Sequence, residues 1–435
     1  MATDGPACVV VGASAAGVAT AIELRANGFT GPVTLVDADP RLPYERPPLS
    51  KGLLGAAATN GTDDLVPIRP PQTYVDLDIE LRLGEQVLEL DPVRRRVRTT
   101  AGELPADHVV LATGVSARKL DVPGADAANV LYLRNAADAR ALADQLAHGG
   151  PLVIIGAGFI GLEMAAVARE HDISVTVVEA ALHPLARVLG GEAAQLMIDL
   201  HRNRGVEFLL GATVSRLEHL PGVEGPSGTV GAVCLAGGRR IPTATVVVGV
   251  GVEPNVELAR AAGAIVDEHG IVVDGYGRTS DPWIFATGDV ASQPHPELVA
   301  PGRIEHWDVA LRHGAAVGAT IAGNPTRFVD PPYAWSDQYG GTLQLIGRGR
   351  PSDELVLRRD AEPGRFLAFW VRDGAVGAVA AMGMAREIGA VRRLVIDRVP
   401  VAAEDLASPE LDLRSVLRAH QKRAKARPVG QEMAG

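Results

Sequence analysis

VVVGASAAGVATAIELRANG, residues 9–28, decides how the rest of the chain is read. Three valines run into Gly12, another glycine follows at Gly17, and apolar residues then recur at helical spacing. An uninterrupted valine run predicts a strand buried on both faces, as in a parallel sheet. The period after Gly17 predicts a helix, and PVTLVDAD (32–39) predicts a second strand closing on Asp37. The turn departs from G-x-G-x-x-G at one place, where Ser14 stands for the middle glycine.

A second stretch repeats the theme without the departure. LVIIGAGFIGLEMAAVAREHD (152–172) runs strand, turn, helix, and ISVTVVEA (173–180) adds the next strand. Gly156 suits the tight turn, Gly158 lets backbone approach a pyrophosphate, and Gly161 permits close helix–strand packing. The helix N-terminus offers N–H groups and positive dipole to phosphates. Glu179 ends the following strand, where a carboxylate accepts from both ribose hydroxyls and repels a 2′-phosphate. That favours NADH over NADPH, with Arg187 as the residue that opposes the preference. In the first copy Asp37 takes the corresponding place, and the Ser14 hydroxyl is small enough to donate to a phosphate oxygen. The bland alternative is a βαβ unit that holds no ligand.

Composition narrows the class. The chain has 435 residues, a formal charge of −10 and two cysteines, Cys8 and Cys234. That balance argues against a general nucleic-acid or acidic-membrane binder. Neither a C-x-x-C nor a C-x4-C is present, so a dithiol relay is excluded and a reducing compartment is implied. MATDGPA has no basic n-region or long apolar stretch, and no window approaches a membrane span, so a cytoplasmic location is expected. From Phe328 onward 16 Lys/Arg stand against 14 Asp/Glu, so the C-terminal part is near +2 and the rest near −12.

The fold class expected is α/β, with two doubly wound Rossmann-like dinucleotide-binding domains and a C-terminal α+β domain. Strand-to-turn exits at DHVVLATG (107–114) and TATVVVGVGVEPN (243–255) read as crossings between the two nucleotide domains. The expected segments are 1–113 and 249–327 for the first domain, 114–248 for the second, and 328–435 for the third. The closing KRAKARPVGQEMAG is polar and expected to fray.

Two dinucleotide units followed by RTSDPWIFATGD (278–289) resemble the flavoproteins that carry two dinucleotide-binding domains, glutathione-reductase-like in fold. PYERPPLSKGLL (43–54), GVGVEPNVELARAAG (249–263) and WSDQYG (335–340) narrow the resemblance to the oxygenase-coupled NADH–ferredoxin reductases. It extends from Val9 to about Leu417. The resemblance implies FAD on the first unit, with contacts at Gly12, Ser14, Ala15, Gly17, Asp37, Arg46, Lys51, Val87, Arg134, Asp289 and Trp307. It implies NADH on the second, at Gly156, Gly158, Ile160, Gly161, Glu163, Glu179, Arg187 and Gly251, with Trp335 against the flavin–nicotinamide region. Two departures stand out, Ser14 for glycine and Asp308 in RIEHWDVA where Asn is usual.

Lys51 and Glu163 are the catalytic candidates. The resemblance implies an ion pair beside flavin N5, where a held cation stabilises the charge of reduced flavin. The bland readings are a solvated loop lysine and a first-turn helix acid favoured by the dipole. The implied reaction takes a hydride from NADH onto FAD and passes single electrons to a [2Fe–2S] ferredoxin feeding an oxygenase. That partner would dock transiently and electrostatically on a monomer, along a rim of Arg348, Arg350, Arg358, Arg359, Arg392 and Arg393. Alternatives are a reductase of rubredoxin or of a small-molecule radical, an apoptosis-inducing-factor-like redox interaction protein, and a silent scaffold. QPHPEL, His306 and His313 lack metal-ligand spacing and read as surface residues; no metal is expected. Trp283 and Trp370 read as core.

Overall fold

The computed structural model describes residues 5–51, 65–222 and 225–426. Gly52–Leu54 of the proline-rich motif and the tail beyond residue 426 lie outside the described residues. The chain divides into two compact units, Met1–Val178 with Thr213–Val329, and Glu179–Ala212 with Asp330–Gly435.

In the first unit the repeated theme becomes regular structure. β1 (Cys8–Val11), α1 (Ala15–Ala26), β2 (Val33–Asp37), β3 (Ile79–Leu83) and β4 (His108–Leu111) come first. β5 (Val130–Leu131), β6 (Leu152–Ile155), α2 (Phe159–Glu170) and β7 (Val175–Glu179) follow. After β8 (Thr245–Val248) come β9 (Ile284–Ala286) and α3 (Trp307–Ile321). β9, β4, β1, β2 and β3 form one parallel sheet in that order. Thus the chain returns to its first sheet through β9, long after leaving it. β7, β6, β8 and β5 lie side by side in a second parallel array.

The inner part of the first sheet is covered on both faces, which is why β1 and β4 carry no polar alternation, whereas the edge strand β3 (IELRL) does. Val10, Leu35, Val110 and Phe285 pack with Leu24 of α1 and Val317 of α3. Val9, Val11, Val109 and Ile284 on the other face meet Val87, Leu90, Val97 and Leu104. Those four residues come from an antiparallel sheet of Val87–Asp91, Arg96–Thr99 and Gly102–Pro105, left unassigned by the sequence reading. α1 and α3 cross closely because Gly314 faces backbone: a Cβ there would come within 2.3 Å of the Ala16 carbonyl oxygen. Thr20 Oγ1 lies 3.0 Å from the Gly314 carbonyl oxygen and so ties the two helices.

The second unit contains an antiparallel sheet of β10 (Tyr333–Gln338), β11 (Gly341–Ile346), β12 (Glu354–Arg359), β13 (Phe366–Arg372) and β14 (Ala375–Met382), in the order β10, β11, β14, β13, β12. Its first strand carries WSDQ, a polar sequence that the alternation test passes over. The helix Gly191–Arg202 belongs to this unit. There His201 Nε2 lies 2.7 Å from Gln338 Oε1, and Tyr339 OH lies 3.0 Å from His201 Nδ1. Trp283 and Trp370 are buried, as read from sequence.

Candidate active site

Both glycine-rich turns have the same geometry. Gly12 and Gly156 each sit at φ +105°, and a Cβ on either would come within 2.3 Å of a carbonyl oxygen, from Ala112 and Gly249 respectively. Only glycine is comfortable there. Gly17 and Gly161 let each helix approach its own turn: a Cβ would lie 1.8 Å from the Gly12 oxygen or 2.3 Å from that of Gly156.

The middle position obeys a different rule. Gly158 has φ −75° and ψ 178°, Ser14 has φ −93° and ψ −166°, and both are N-caps in extended backbone. A Cβ at Gly158 meets nothing within 4 Å. Neither position therefore demands glycine for its own fold. Ser14 makes no side-chain capping bond to α1, so its hydroxyl is not spent on the helix it precedes.

Asp37 ends β2 and turns back to the glycine-rich loop, its Oδ2 accepting the Ala13 N–H at 2.5 Å and its Oδ1 the Asp39 N–H at 2.8 Å. Ala15 opens α1 and is buried, and Val87 is buried at the start of its strand. Trp307 opens α3, Ile160 is exposed at the start of α2, and Gly251 follows β8 at φ +103°.

Lys51 and Glu163 come together. Lys51 caps the 3₁₀ turn Pro47–Ser50, whose consecutive prolines stiffen it. Its Nζ stands 3.6 Å from Glu163 Oε1, with the lysine side chain 19% exposed and Glu163 only 5% exposed. Lys51 is half-buried and ion-paired, and Glu163 lies beyond the first turn of α2, which contains no acid. Ser50 Oγ donates to the other carboxylate oxygen, Oε2.

A second charged group surrounds Asp289 in the turn after β9. Arg134 Nη2 lies 3.5 Å from Asp289 Oδ2, and Arg134 Nε donates to the Val115 carbonyl at 2.8 Å. Burial raises the Asp289 carboxyl above its ordinary range, opposed by the charges of Arg134, Arg46 and Arg303. Burial, with Arg46 adding to it, brings Arg134 down to about 10. Asp289 Oδ1 and Thr287 Oγ1 are buried without a protein hydrogen-bond partner. A buried unsatisfied oxygen is costly, and hydroxyl groups of a bound ligand would relieve both.

His313, read as a surface residue, is 2% exposed, and His295 of QPHPEL is likewise buried. The correction has a purpose: the Gly288 N–H donates to His313 Nδ1 at 3.3 Å, so the ring supports the turn carrying Asp289. Burial, then the charge of His295, lowers His313 to about 4. Being neutral when folded and protonated more readily when unfolded, it adds stability above about pH 6.5 that is lost as pH falls toward 4. His201, lowered to about 4 by burial, has the same sign. Thermal denaturation between pH 7 and 4 is expected to show falling stability, and His313→Gln to flatten that slope. A wild-type melting temperature unchanged across that range would contradict this.

The remaining expected residues belong to the second unit. Glu179 ends β7 and accepts the Ala181 N–H at 2.7 Å. Arg187 falls in the short helix Ala186–Leu189, its side chain outside the described residues. Trp335 stacks on Tyr333 with centroids 5.8 Å apart. The docking rim needs one correction: Arg358 is buried, donating to the carbonyls of Leu406 and Leu411, because its guanidinium ties β12 to the following helical segments. Arg348, Arg359 and Arg393 are exposed. Cys8 and Cys234 are both free and buried. Burial pushes the Cys8 thiol to about 12 and raises Cys234, so neither is poised as a nucleophile. Among the described residues no acid–histidine–cysteine group fit for a metal is found.

Two parallel sheets with glycine-rich turns, joined by a buried cation–carboxylate pair, define a nucleotide-dependent oxidoreductase of the flavoprotein type. The chain belongs to the pyridine nucleotide-disulphide oxidoreductase family, which it matches over residues 6–314, and residues 333–417 match the reductase C-terminal family. It is 36% identical over 414 residues to rhodocoxin reductase of Rhodococcus erythropolis, covering 95% of each chain. It is 38% identical over 411 residues to the ferredoxin–NAD(+) reductase component of the anthranilate 1,2-dioxygenase system of Burkholderia cepacia, covering 94% of this chain and 98% of that one. The reductase in the crystal structure of the covalent putidaredoxin reductase–putidaredoxin complex superposes with a TM-score of 0.88 at 34% identity, over 97% of this chain and 99% of the other.

Proposed function

We propose that this protein takes a hydride from NADH onto FAD and hands the electrons singly to a ferredoxin; relatives of similar sequence are named ferredoxin–NAD(+) reductase components. The observation that carries the reading is the ion pair of Lys51 with the buried Glu163, two residues beyond the second glycine-rich turn, in a chain whose two cysteines are buried and unpaired. The segments 1–113 with 249–327, 114–248 and 328–435 are the proposed FAD, NADH and C-terminal domains.

Bound FAD would supply the conversion between a two-electron donor and a one-electron acceptor. The chain's own residues do the rest. The N–H groups opening α1, the Ser14 hydroxyl and the α1 dipole bind the pyrophosphate of FAD. Asp289 offers its unsatisfied oxygen to the ribityl hydroxyls, and Arg134 and Arg46 balance the charge there. Lys51 presents a held ammonium to the flavin ring, and Glu163 keeps it desolvated and paired. Gly156, Gly158 and Gly161 make the NADH cradle with Ile160 and Gly251 at its border. No general base is required, because hydride transfer needs only that donor and acceptor atoms be held about 3–3.5 Å apart.

Glu179 directs the choice of donor. A fixed carboxylate beside a 2′-phosphate costs several kcal/mol, so NADH is expected to outpace NADPH at least about tenfold in kcat/KM. The acceptor is proposed to be a [2Fe–2S] ferredoxin, docked transiently on a monomer and steered by Arg348, Arg359 and Arg393. The proposed location is the cytoplasm; among the described residues no helix is long and apolar enough to cross a membrane. The test is anaerobic mixing with NADH or NADPH, followed by turnover with ferredoxin, rubredoxin and monodehydroascorbate at low and high salt. Faster NADPH would overturn the role of Glu179. Ferredoxin turnover insensitive to salt would remove the docking rim.

A further inference from the structure

Ser50 carries no charge, yet its hydroxyl is bonded to the carboxylate of the Lys51–Glu163 pair. It closes the turn Pro47–Ser50, is 6% exposed, and its hydroxyl donates to Glu163 Oε2. The Pro47 carbonyl, 3.5 Å from the same Oγ, is the weaker acceptor for the single proton available. On the opposite side of the carboxylate, Lys51 Nζ is 3.6 Å from Oε1, an ion-pair distance longer than a hydrogen bond. Ser50 thus ties the turn to α2 by a hydrogen bond to the carboxylate.

This division of labour matters because lysine is a poor director. Its ammonium is a point charge on a four-carbon stem with three rotatable donors, and it sets no orientation for a carboxylate. A hydroxyl held by a proline-stiffened turn does set one, and a bond to a charged acceptor is among the stronger ones. We propose that Ser50 is a positioning residue of the hydride-transfer site: its hydroxyl fixes the Glu163 carboxylate, and through it the direction of the Lys51 ammonium. The inference rests on the reading that Lys51 and Glu163 serve the bound flavin. Ser50 touches neither nucleotide in this account and acts only through Glu163.

The experiment compares Ser50→Ala, Ser50→Thr, Lys51→Met and Glu163→Gln holoproteins with wild type. Anaerobic stopped-flow gives the limiting rate of flavin reduction per bound flavin and the apparent Kd for NADH. FAD content and melting temperature are measured alongside. Ser50→Ala is expected to lower the limiting rate about ten- to a hundredfold, the range of one hydrogen bond to a charged group, with the NADH Kd unchanged. Ser50→Thr keeps the hydroxyl and is expected to restore most of the rate. If Ser50→Ala reduces at the wild-type rate while Lys51→Met and Glu163→Gln are slow, the positioning role is wrong and the pair's role stands. If Ser50→Ala loses FAD or stability but its rate per bound flavin is unchanged, the serine is structural only, and the proposal fails. If all the variants reduce at the wild-type rate, the reading of the pair fails, and this proposal with it.

Discussion

Lys51→Met is expected to keep its FAD and to slow flavin reduction by NADH about a hundred- to a thousandfold, the cost of removing one preorganised electrostatic contact. Methionine matches the lysine stem in length and removes the charge. The pyrophosphate and ribityl contacts assigned to Ser14, Asp289 and Arg134 are untouched, which is why FAD should remain. Glu163 is 5% exposed and would be left with Ser50 as a partner but without its cation. A buried carboxylate stripped of its counter-charge destabilises the fold, so the melting temperature of Lys51→Met should fall as well. Adding Glu163→Gln removes the stranded charge. The double variant should regain stability and remain slow. Recovery of both rate and stability in the double variant would show that Lys51 matters for the fold and not for hydride transfer.

Ser14→Leu is expected to yield protein without FAD, and Ser14→Gly protein that retains it. The backbone at Ser14 is ordinary extended chain, and the corresponding position of the second turn faces open space. The backbone there does not itself select against a larger residue, so the penalty expected for leucine is the loss of room for the pyrophosphate. Leucine would occupy the pyrophosphate's place and present apolar surface to it, weakening FAD by at least about a hundredfold, a loss of about 3 kcal/mol. Glycine removes a single donor. Flavin absorbance per mole of purified protein reads both outcomes. A yellow Ser14→Leu protein with a colourless Ser14→Gly protein would reverse the assignment.

The parts legible in the sequence were those with steric causes. Gly12 and Gly156 are forced by positive φ and by carbonyl oxygens that leave no room for a Cβ, so their spacing shows in the sequence. The apolar runs of β1 and β6 show because both faces of those strands are buried. The strands Val87–Asp91, Arg96–Thr99 and Gly102–Pro105 did not show, being short, interrupted by charged residues and only partly buried. The strand carrying WSDQ was hidden by its polarity. Within the site, Lys51 and Glu163 were reached through the resemblance, since neither spacing nor composition brings residues 51 and 163 together. Ser50 and His313 were missed because a buried serine and a buried histidine look, in sequence, like their exposed counterparts. A proline-stiffened turn ending in Ser-Lys was the available signal for the serine; none existed for the histidine.

The central claim is that electrons enter as a hydride from NADH and leave one at a time from the flavin, with no thiol between. The most direct measurement is anaerobic double-mixing stopped-flow: NADH first, then an oxidised [2Fe–2S] ferredoxin, following flavin and iron–sulfur absorbance together, in wild type and in the Cys8→Ser/Cys234→Ser variant. The account predicts that NADH bleaches the flavin, that ferredoxin is reduced as the flavin reoxidises, and that both rates are the same in the two proteins. A flavin that NADH leaves oxidised, or a reduced flavin that persists in the presence of ferredoxin, would contradict it.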